Sequence, residues 1–419
     1  MALRCRVCAS EGLELLVDIG PMPIAHRLRR RAEETEPRFP LRFHICDRCG
    51  LLQIARPIDP AVLYAEAETY STAFQRPAHI PDLIATLLAR RDPGPLLEIG
   101  CNDGTVLAAM KEHGFEDAIG IEPNRRMAER GRAAGLDIRT GFFGEADLGT
   151  GFHFVVARQV LEHVDALEPF VSGVRKALVP GGLFALELPQ VESGLDTGNP
   201  AILWEEHVNY FTQPAIERLL ALSGFRILDR RHYAFGGGSL ALVAEFDPTL
   251  PLVPWTAADW NGVGPGRPDY AAFAAGLAAY RQGLSDLVAA YRLAGWRIAL
   301  YGCAPRSVVV VNGCGIEASL DWAIDDRTEI QGRFLPGTDR AIVGLDALVP
   351  APTLYLLGVG GENEYRVKRK IAARDGMQPR TASLFPPRDA LGSIAAARKA
   401  LSGSGLGVEQ FALHLVGGA

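Results

Sequence analysis

Four of the seven cysteines form two closely spaced pairs near the start of the sequence. Two residues separate Cys5 from Cys8, and two separate Cys46 from Cys49. Each short turn can direct two thiolates at one ion, and four thiolates complete a tetrahedral zinc without leaving a position open for a reactant. We therefore predict a structural zinc site, with redox-active pairs or incidental cysteines as the alternatives.

A second chemical pattern is the segment Glu98-Ile-Gly-Cys-Asn-Asp-Gly104, which follows an apolar run. Gly100 and Gly104 would let the backbone approach a ligand closely, and Asn102 lies between them. A simple tight turn is the alternative, because the spacing is not that of a dinucleotide-binding fingerprint. Glu98 and Asp103 would add negative charge, which repels a pyrophosphate and attracts a cationic ligand.

Two further segments extend this pattern. Glu122 ends the next predicted strand, about 20 residues later, where a carboxylate can accept the ribose hydroxyls of an adenosine. Gln159 begins the segment Gln159-Val-Leu-Glu-His163 after another predicted strand. The combination resembles class I methyltransferases and predicts binding of S-adenosylmethionine, whose ammonium and sulfonium are cationic. The predicted cofactor-binding residues are Glu98, Gly100, Asn102, Asp103, Gly104, Glu122 and Gln159.

These residues lie within an alternation of short apolar strands and amphipathic helices, which is typical of parallel βαβ units. The predicted strands are 95–100, 118–122, 152–157, 182–188, 225–231 and 239–246, and the predicted helices are 105–112, 125–134, 169–178 and 214–223. The fold class is therefore α/β, with one doubly wound, Rossmann-like methyltransferase domain.

The rest of the chain predicts two further parts. Residues 1–58 form the zinc-binding module, and residues 59–247 form the methyltransferase domain, beginning with lead-in helices. Residues 248–419 comprise a Pro- and Gly-rich linker and a second, smaller Rossmann-like α/β domain. In that domain we predict a helix over 270–295 and strands over 297–301, 321–325 and 353–359.

Composition restricts the function classes. Of the 419 residues, 48% are hydrophobic and 22% charged, which excludes a disordered or collagen-like chain. The net charge of −6 provides no global positive field, so we expect no nucleic-acid partner. Charged residues and glycines interrupt every apolar run before membrane-spanning length, and the N-terminus has no apolar leader. We expect a cytoplasmic monomer.

Several motifs together resemble one family, the nucleotide-sugar C-methyltransferases that add branched methyl groups to keto-deoxysugars, as in antibiotic biosynthesis. The resemblance covers nearly the full chain. The matching segments are Cys5-x-x-Cys8, Asp18-Ile-Gly-x-Met-Pro23, Pro40-Leu, Cys46-x-x-Cys49-Gly-Leu-Leu-Gln53, Glu98-Ile-Gly-x-Asn-Asp-Gly104, Glu206-His207-x-x-Tyr210-Phe211, Gly237-Gly-Ser-Leu240 and Gln331-Gly-Arg-Phe-Leu-Pro-Gly-Thr338.

The resemblance implies that Glu206 and His207 lie at the sugar, with His207 as the base. A carbon nucleophile requires removal of a proton beside a carbonyl, so a near-neutral base and a donor to the enolate oxygen are needed. Tyr210 is the candidate donor, and His163 matches a further histidine of the family. The alternatives are a pocket wall for His163, a core position for His207 and packing for Tyr210.

Three residues are candidates for substrate binding. The turn Tyr301-Gly-Cys-Ala-Pro-Arg306 resembles a Gly-Ala-x-x-Lys turn, so Arg306 would meet the diphosphate of a nucleotide sugar as a bidentate cation. A capped helix with a solvated arginine is the alternative. Tyr70 lies where the family has a Tyr- and Ser-rich segment, and Trp204 precedes the Glu-His pair.

The sequence therefore predicts a C-methyltransferase that acts on a nucleotide-linked keto-deoxysugar. An O- or N-methyltransferase on a related sugar nucleotide is the second hypothesis, with His207 deprotonating a hydroxyl or amine. A zinc-containing RNA- or protein-binding module is the third.

Overall fold

The structure is a computed structural model that describes residues 3–64, 76–145, 148–196, 200–255, 269–376, 378–385 and 390–402. Its packing divides the chain into two compact units. The first unit comprises Met1–Asp18, Leu41–Ser193 and Glu205–Pro268, and the second comprises Ile19–Pro40, Gly194–Trp204 and Asp269–Ala419. None of the described helices is long and apolar enough to cross a membrane.

Strands and helices are numbered along the chain. The strands are β1 (Leu13–Pro23), β2 (Arg38–Cys46), β3 (Leu52–Ile54), β4 (Leu96–Ile99), β5 (Ala118–Glu122), β6 (Ile138–Thr140), β7 (Phe152–Arg158), β8 (Leu178–Pro189), β9 (Asn209–Tyr210), β10 (Phe225–Tyr233), β11 (Ser239–Phe246), β12 (Arg297–Tyr301), β13 (Trp322–Ile324), β14 (Ile342–Val343), β15 (Thr353–Leu357) and β16 (Arg380–Ser383). The helices are α1 (Pro60–Tyr64), α2 (Ile80–Leu88), α3 (Thr105–Glu112), α4 (Arg125–Ala133), α5 (Leu167–Ala177), α6 (Glu192–Asp196), α7 (Gln213–Leu222), α8 (Tyr270–Leu293), α9 (Pro305–Gly313), α10 (Gly361–Asp375) and α11 (Ala390–Ser402).

The first unit contains a seven-stranded sheet of order β10-β11-β8-β7-β4-β5-β6. Strands β4 to β8 pair in parallel, and β11 runs antiparallel to both of its neighbours. The order reverses between β4 and β7, where β4 pairs with β5 on one side and β7 on the other. Ligands of such sheets bind outside the carboxyl ends of the strands at this point. The predicted cofactor-binding turn follows β4.

Alternating side chains of the central strands supply two hydrophobic cores, because successive side chains point to opposite faces. Phe154 and Val156 of β7 belong to the core formed with α2 and α3. Val155 and Ala157 belong to the core formed with α5 and α7, which also includes Leu51 and the four paired cysteines. The cysteine turns are therefore continuous with the methyltransferase core.

A four-stranded sheet of order β1-β2-β3-β9 carries the second cysteine pair. Phe43 of β2 pairs with Ile54 of β3, and Leu52 of β3 pairs with Tyr210 of β9. Strand β9 is part of the Glu206–Phe211 motif. The sheet therefore joins the N-terminal segment directly to the predicted catalytic segment.

The second unit contains a five-stranded parallel sheet of order β14-β13-β12-β15-β16. The hydroxyls of Tyr280 and Tyr291 on α8 donate to the carbonyls of Leu384 and Ala397, at 3.0 and 2.9 Å. These buried bonds fix α8 against the C-terminal elements. The sheet is the expected second Rossmann-like arrangement.

Most predicted elements of the first unit are confirmed within a few residues. The strands that were not predicted are β1, β2, β3, β6 and β9, together with β14 and β16 of the second unit. The two packing units also differ from the predicted domain ranges. Residues 19–40 pack in the second unit, where the main chain of Arg29 pairs with Phe334 and Gly337 donates to the carboxylate of Glu36 at 2.8 Å. The N-terminal 58 residues are therefore not one separate packing unit.

Candidate functional site

The four paired cysteines converge on one point. Their Sγ atoms all lie within 4.8 Å of one another, with 3.4 Å between Cys5 and Cys49 and 3.5 Å between Cys8 and Cys46. A tetrahedral zinc with sulfur ligands at about 2.3 Å would separate the sulfurs by about 3.8 Å, close to the observed spacing. The four thiolates fit zinc and leave no ligand position for a substrate, so the ion would be structural.

The glycine turn after β4 uses left-handed backbone conformations. Gly100, Asn102 and Gly104 have φ values of 69°, 54° and 78°, and Asn102 is one of few non-glycine residues with positive φ. A Cβ atom at Gly100 would lie 2.5 Å from Cγ2 of Val160. A larger residue at position 100 would therefore force the turn away from the segment after β7.

Two of the predicted cofactor-binding carboxylates, Glu122 and Asp103, form hydrogen bonds at or near this turn. Glu122, at the end of β5, accepts the backbone N–H of Asn102 at 2.9 Å and that of Asn124 at 2.8 Å. Burial raises the pKa of Glu122, and these two bonds oppose that effect. Asp103 accepts the backbone N–H and the hydroxyl of Thr105, at 3.2 and 2.8 Å, so its side chain binds the first residue of α3.

Glu98 lies inside β4 and is only 3% exposed. Burial raises its pKa to about 8, although the positive charge of Arg158 acts in the opposite direction. One carboxylate oxygen of Glu98 has no hydrogen-bond partner among the described residues. In the absence of a ligand, burial therefore favours the protonated form of Glu98. A nearby cation would favour its ionised form.

Gln159 directly follows β7 and has a φ of 52°. Its backbone N–H donates to the carbonyl of Glu187 on β8 at 2.7 Å. Its side-chain Nε2 is buried without a hydrogen-bond partner in the described part of the chain. Gln159 therefore sits beside the turn after β4 with an amide available to a ligand.

A buried charge cluster that the sequence analysis missed lies beside Gln159. The carboxylate of Glu187 accepts Nε of Arg158 at 2.6 Å, the hydroxyl of Ser239 at 2.7 Å and Nε2 of His79 at 3.1 Å. Burial alone would raise the pKa of Glu187, but these three partners together lower it to about 2. Glu187 is therefore a permanent anion, and its bonds link the start of α2, β7 and β11.

The predicted catalytic histidines lie together. The rings of His163 and His207 are edge-to-face with centroids 4.9 Å apart. His163 ends a single 3-10 turn after β7, and Glu162 immediately precedes it. Side-chain ligand atoms of Glu162, His163 and His207 all lie within 4.8 Å of one another. This pair of imidazoles could move a proton at the carboxyl edge of the sheet.

Glu206 lies beside His163. The chain turns at Glu205 and Glu206, so the main-chain oxygen of Glu206 lies 2.9 Å from Nδ1 of His163, and its carboxylate lies 4.0 Å from the same atom. Both glutamates are buried. The turn in this motif therefore places Glu206 next to His163.

Tyr210 is buried in β9 and contacts both the sheet and the histidine. Its ring packs edge-on against Phe43, with centroids 5.6 Å apart, and lies 6.2 Å from the ring of His207. Tyr210 is thus near enough to influence a group held by His207.

Two of the three predicted substrate-binding residues belong to the second unit. Arg306 begins α9 in the second unit, and its guanidinium stacks over the ring of Phe385 at 5.5 Å. Trp204 also belongs to the second unit and is half-buried. Tyr70 lies outside the described residues.

The residues that the sequence analysis missed share one signal. Glu162 and Glu187 are carboxylates within otherwise apolar segments, as is Glu98, which was predicted. Acidic side chains are almost never fully buried unless a structural or functional partner is present. The partners themselves, such as His79, are distant in sequence and give no local pattern.

The cysteine geometry predicts that one zinc stabilises the chain. Replacing Cys49 by Ser should remove stoichiometric zinc and lower the melting temperature, because a metal that binds only the folded state contributes its binding energy to folding. Metal analysis and thermal unfolding would measure this, with Cys314→Ser, outside the cluster, as the control. Equal zinc content and melting temperature in both variants would contradict the prediction.

The raised pKa of Glu98 predicts a pH-dependent stability. Between its usual value of 4.5 and about 8, the folded chain binds a proton that the unfolded chain releases, so this group makes stability fall as pH rises. The free energy of unfolding of Glu98→Gln, relative to that of the wild type, should therefore increase from pH 5 to pH 8.5. The increase should be on the order of a few kcal/mol. Urea unfolding without cofactor would measure it, with exposed Glu116→Gln as control. A constant difference between the two pH values would refute it.

Three family models match successive parts of the chain. A zinc binding domain matches residues 5–64, a methyltransferase domain matches residues 73–230, and a C-methyltransferase C-terminal domain matches residues 236–357. The first range contains all four clustered cysteines, and the second contains the glycine turn and both histidines.

Two curated proteins are similar in sequence. C-methyltransferase NovU of Streptomyces niveus is 26% identical over 372 residues, which cover 84% of this chain and 88% of NovU. The 24-methylenesterol C-methyltransferase 2 of Oryza sativa subsp. japonica is 28% identical over 197 residues, covering 45% of this chain and 51% of that protein. The first similarity therefore extends over both packing units.

Solved structures of methyltransferases also align with part of the chain. Magnesium protoporphyrin IX methyltransferase of Synechocystis PCC 6803, with bound S-adenosylmethionine, is 16% identical and aligns over 40% of this chain and 77% of its own, with a TM-score of 0.32. CalS10, an amino pentose methyltransferase from Micromonospora echinaspora, is 17% identical over 40% of this chain and 90% of its own, with a TM-score of 0.33. These similarities are too low for a comparison of individual residues.

The consecutive domain matches agree with the sheet order, the glycine turn and the cysteine cluster described above. The chain is an S-adenosylmethionine-dependent C-methyltransferase with a class I (Rossmann-like) methyltransferase domain, an N-terminal zinc-binding segment and a second, smaller α/β domain.

Proposed function

We propose that the chain methylates a carbon of a nucleotide-linked keto-deoxysugar and that His207 forms the enolate. One observation carries the proposal: His207 and His163 lie edge-to-face behind β7, the strand that pairs with β4, which carries the glycine turn. The wider sequence pattern, which resembles nucleotide-sugar C-methyltransferases, supplies the substrate class.

The cofactor is proposed to bind outside the carboxyl ends of β4, β5 and β7. Glu122 already holds the turn through two backbone N–H groups, and each of its oxygens can accept one more bond, from a ribose hydroxyl. Glu98 would ionise beside the cationic amino acid end of the cofactor. The buried amide of Gln159 would donate to the ligand. When bound, S-adenosylmethionine supplies the electrophilic methyl group.

The proposed chemistry begins with proton removal by His207. Its half-buried ring would accept the proton from the carbon next to the sugar ketone, and the hydroxyl of Tyr210 would donate a hydrogen bond to the developing enolate oxygen. The C–H electron pair would become part of the enolate, whose carbon would form the new bond to the methyl group. The pair of the broken carbon–sulfur bond would stay on the sulfur, which would leave as a neutral thioether. The proton stays on the His207 ring until solvent takes it. No step requires the zinc, whose four cysteine ligands would fill its coordination sphere.

The second unit is proposed to bind the nucleotide part of the substrate. Arg306 stands at the start of α9, directly after the glycine-containing turn that follows β12. A helix N-terminus and an arginine fork both favour the diphosphate oxygens of a nucleotide sugar. We propose contributions to substrate binding from Trp204 and Tyr70 as well.

Substitution of Glu122 tests the cofactor placement. Glu122→Ala should weaken S-adenosylmethionine binding by about ten- to a hundredfold, since charge-assisted bonds to the ribose hydroxyls are lost. Calorimetry would measure the affinity, and Glu122→Gln, which retains an acceptor of the same length, should lose less. Unaltered binding in the alanine variant would rule out the placement, and tighter binding of NAD than of S-adenosylmethionine to the wild type would contradict the cofactor assignment.

Substitution of His207 tests the base. His207→Asn should slow both deuterium exchange at the carbon next to the ketone and methyl transfer by about 10²- to 10⁴-fold, with cofactor affinity almost unchanged. His232→Asn, an exposed histidine on β10, is the matched control.

Three outcomes would argue against the assignment. Equal loss of cofactor binding would indicate a structural histidine at position 207. Exchange at the wild-type rate in His207→Asn would move the role of base to His163 or a tyrosine. Methylation of a hydroxyl or amine without exchange would favour an O- or N-methyltransferase.

A further inference from the structure

Glu162 is a buried carboxyl group that the proposed chemistry does not use. It is 2% exposed, and neither carboxylate oxygen has a hydrogen-bond partner among the described residues. Its position is fixed through the backbone, since its carbonyl accepts the N–H of Val208 at 2.8 Å. A carboxylate anion that receives no hydrogen bonds costs much free energy to bury. The neutral acid costs much less.

The neighbouring imidazole of His163 offers an acceptor to which a neutral Glu162 could donate a hydrogen bond. Nδ1 of His163 lies 2.9 Å from the main-chain oxygen of Glu206. A carbonyl oxygen can only accept, so Nδ1 must carry the hydrogen. In a neutral ring, Nε2 is then the acceptor, and it lies 3.9 Å from Oε1 of Glu162. The acid and the acceptor are therefore neighbours, at a distance longer than a hydrogen bond.

We propose that Glu162 is a positioning residue that is protonated at neutral pH and donates its hydrogen to Nε2 of His163. The bond would fix the tautomer and orientation of His163, whose ring packs against His207. Hydrogen bonds of this kind are often long in the free enzyme and shorten when substrate binds. The effect of Glu162 on catalysis rests on the proposed role of His207, whereas its protonation does not.

The charges around Glu162 support this state. The ionised carboxylate of Glu187 on β8 acts on it, and His163, Glu206 and His207 face the same region. Burial raises the pKa of Glu162 to about 8. Its own backbone N–H acts in the opposite direction, and the charge of Glu187 adds a smaller increase. Moving the proton to His163 would instead create an imidazolium 4.9 Å from the ring of His207, and a like charge there would weaken His207 as a base.

Two substitutions of Glu162 test whether its side chain acts as a hydrogen-bond donor or as a negative charge. Glu162→Gln keeps the length and an N–H donor, whereas Glu162→Met keeps the length without a donor. At pH 7, Glu162→Met should lose kcat roughly tenfold or more relative to Glu162→Gln, while the KM for S-adenosylmethionine stays similar in both. The wild-type kcat/KM should fall above about pH 8, and this fall should be absent in Glu162→Gln. Equal loss of kcat in both variants, with cofactor binding intact, would overturn the proposal.

Spectroscopy on the resting full-length protein tests the protonation independently of His207 chemistry. Long-range ¹H–¹⁵N spectra of the histidine rings, with His163 assigned through His163→Gln, should show a neutral Nδ1–H tautomer at pH 7. The Nε2 signal should respond as Glu162 ionises near pH 8, and this response should vanish in Glu162→Gln but remain in Glu98→Gln, the second buried acid with a similar pKa.

The spectra and the exchange experiment can each contradict one proposal without affecting the other. A protonated Nε2 of His163 at pH 7, or a pH response that persists in Glu162→Gln, would overturn the inference while leaving the role of His207 untouched. Normal proton exchange in His207→Asn would instead contradict the proposed base, and the state of Glu162 would still be measured by the spectra.

Discussion

The cost of burying carboxylates governs the carboxyl edge of the seven-stranded sheet. Glu98, Glu122, Glu162 and Glu187 all lie there, and each is nearly inaccessible to solvent. Glu187 is stabilised as an anion by three donors, and Glu122 by two backbone N–H groups. Among the described residues, one oxygen of Glu98 and both oxygens of Glu162 have no hydrogen-bond partner, and burial favours the protonated form of each. The same edge therefore combines Glu187, whose partners lower its pKa, with carboxyl groups whose pKa burial raises.

The fold was predictable where each element carried enough periodic signal. Strands β4, β5, β7 and β11 and helix α3 are apolar or amphipathic over four or more residues, and their positions followed from the sequence. The strands β6 and β14 have three and two residues, and β16 has only two buried positions. So few residues cannot distinguish a strand from a loop, and pairing with a neighbouring strand determines their conformation.

The site was predictable where function depends on local spacing. The two cysteine pairs and the glycine turn are short motifs, and the structure brings each set together. The contacts of His163 and Glu206 were not predictable, because they depend on a turn at Glu205 and Glu206 that positions the second glutamate. The partners of Glu187 were missed for a related reason, since they come from β7, β11 and the start of α2.

The pairing of β3 with β9 also bears on how the chain is made. Leu52 pairs with Tyr210, and most of the methyltransferase domain lies between them in sequence. During synthesis from the N-terminus, β3 cannot pair with β9 until β9 has left the ribosome. A domain can complete its fold only when all of its strands are available. Contacts between such distant segments also slow folding. Early metal capture by the cysteine turns would make the segment that leads to β3 compact during this interval.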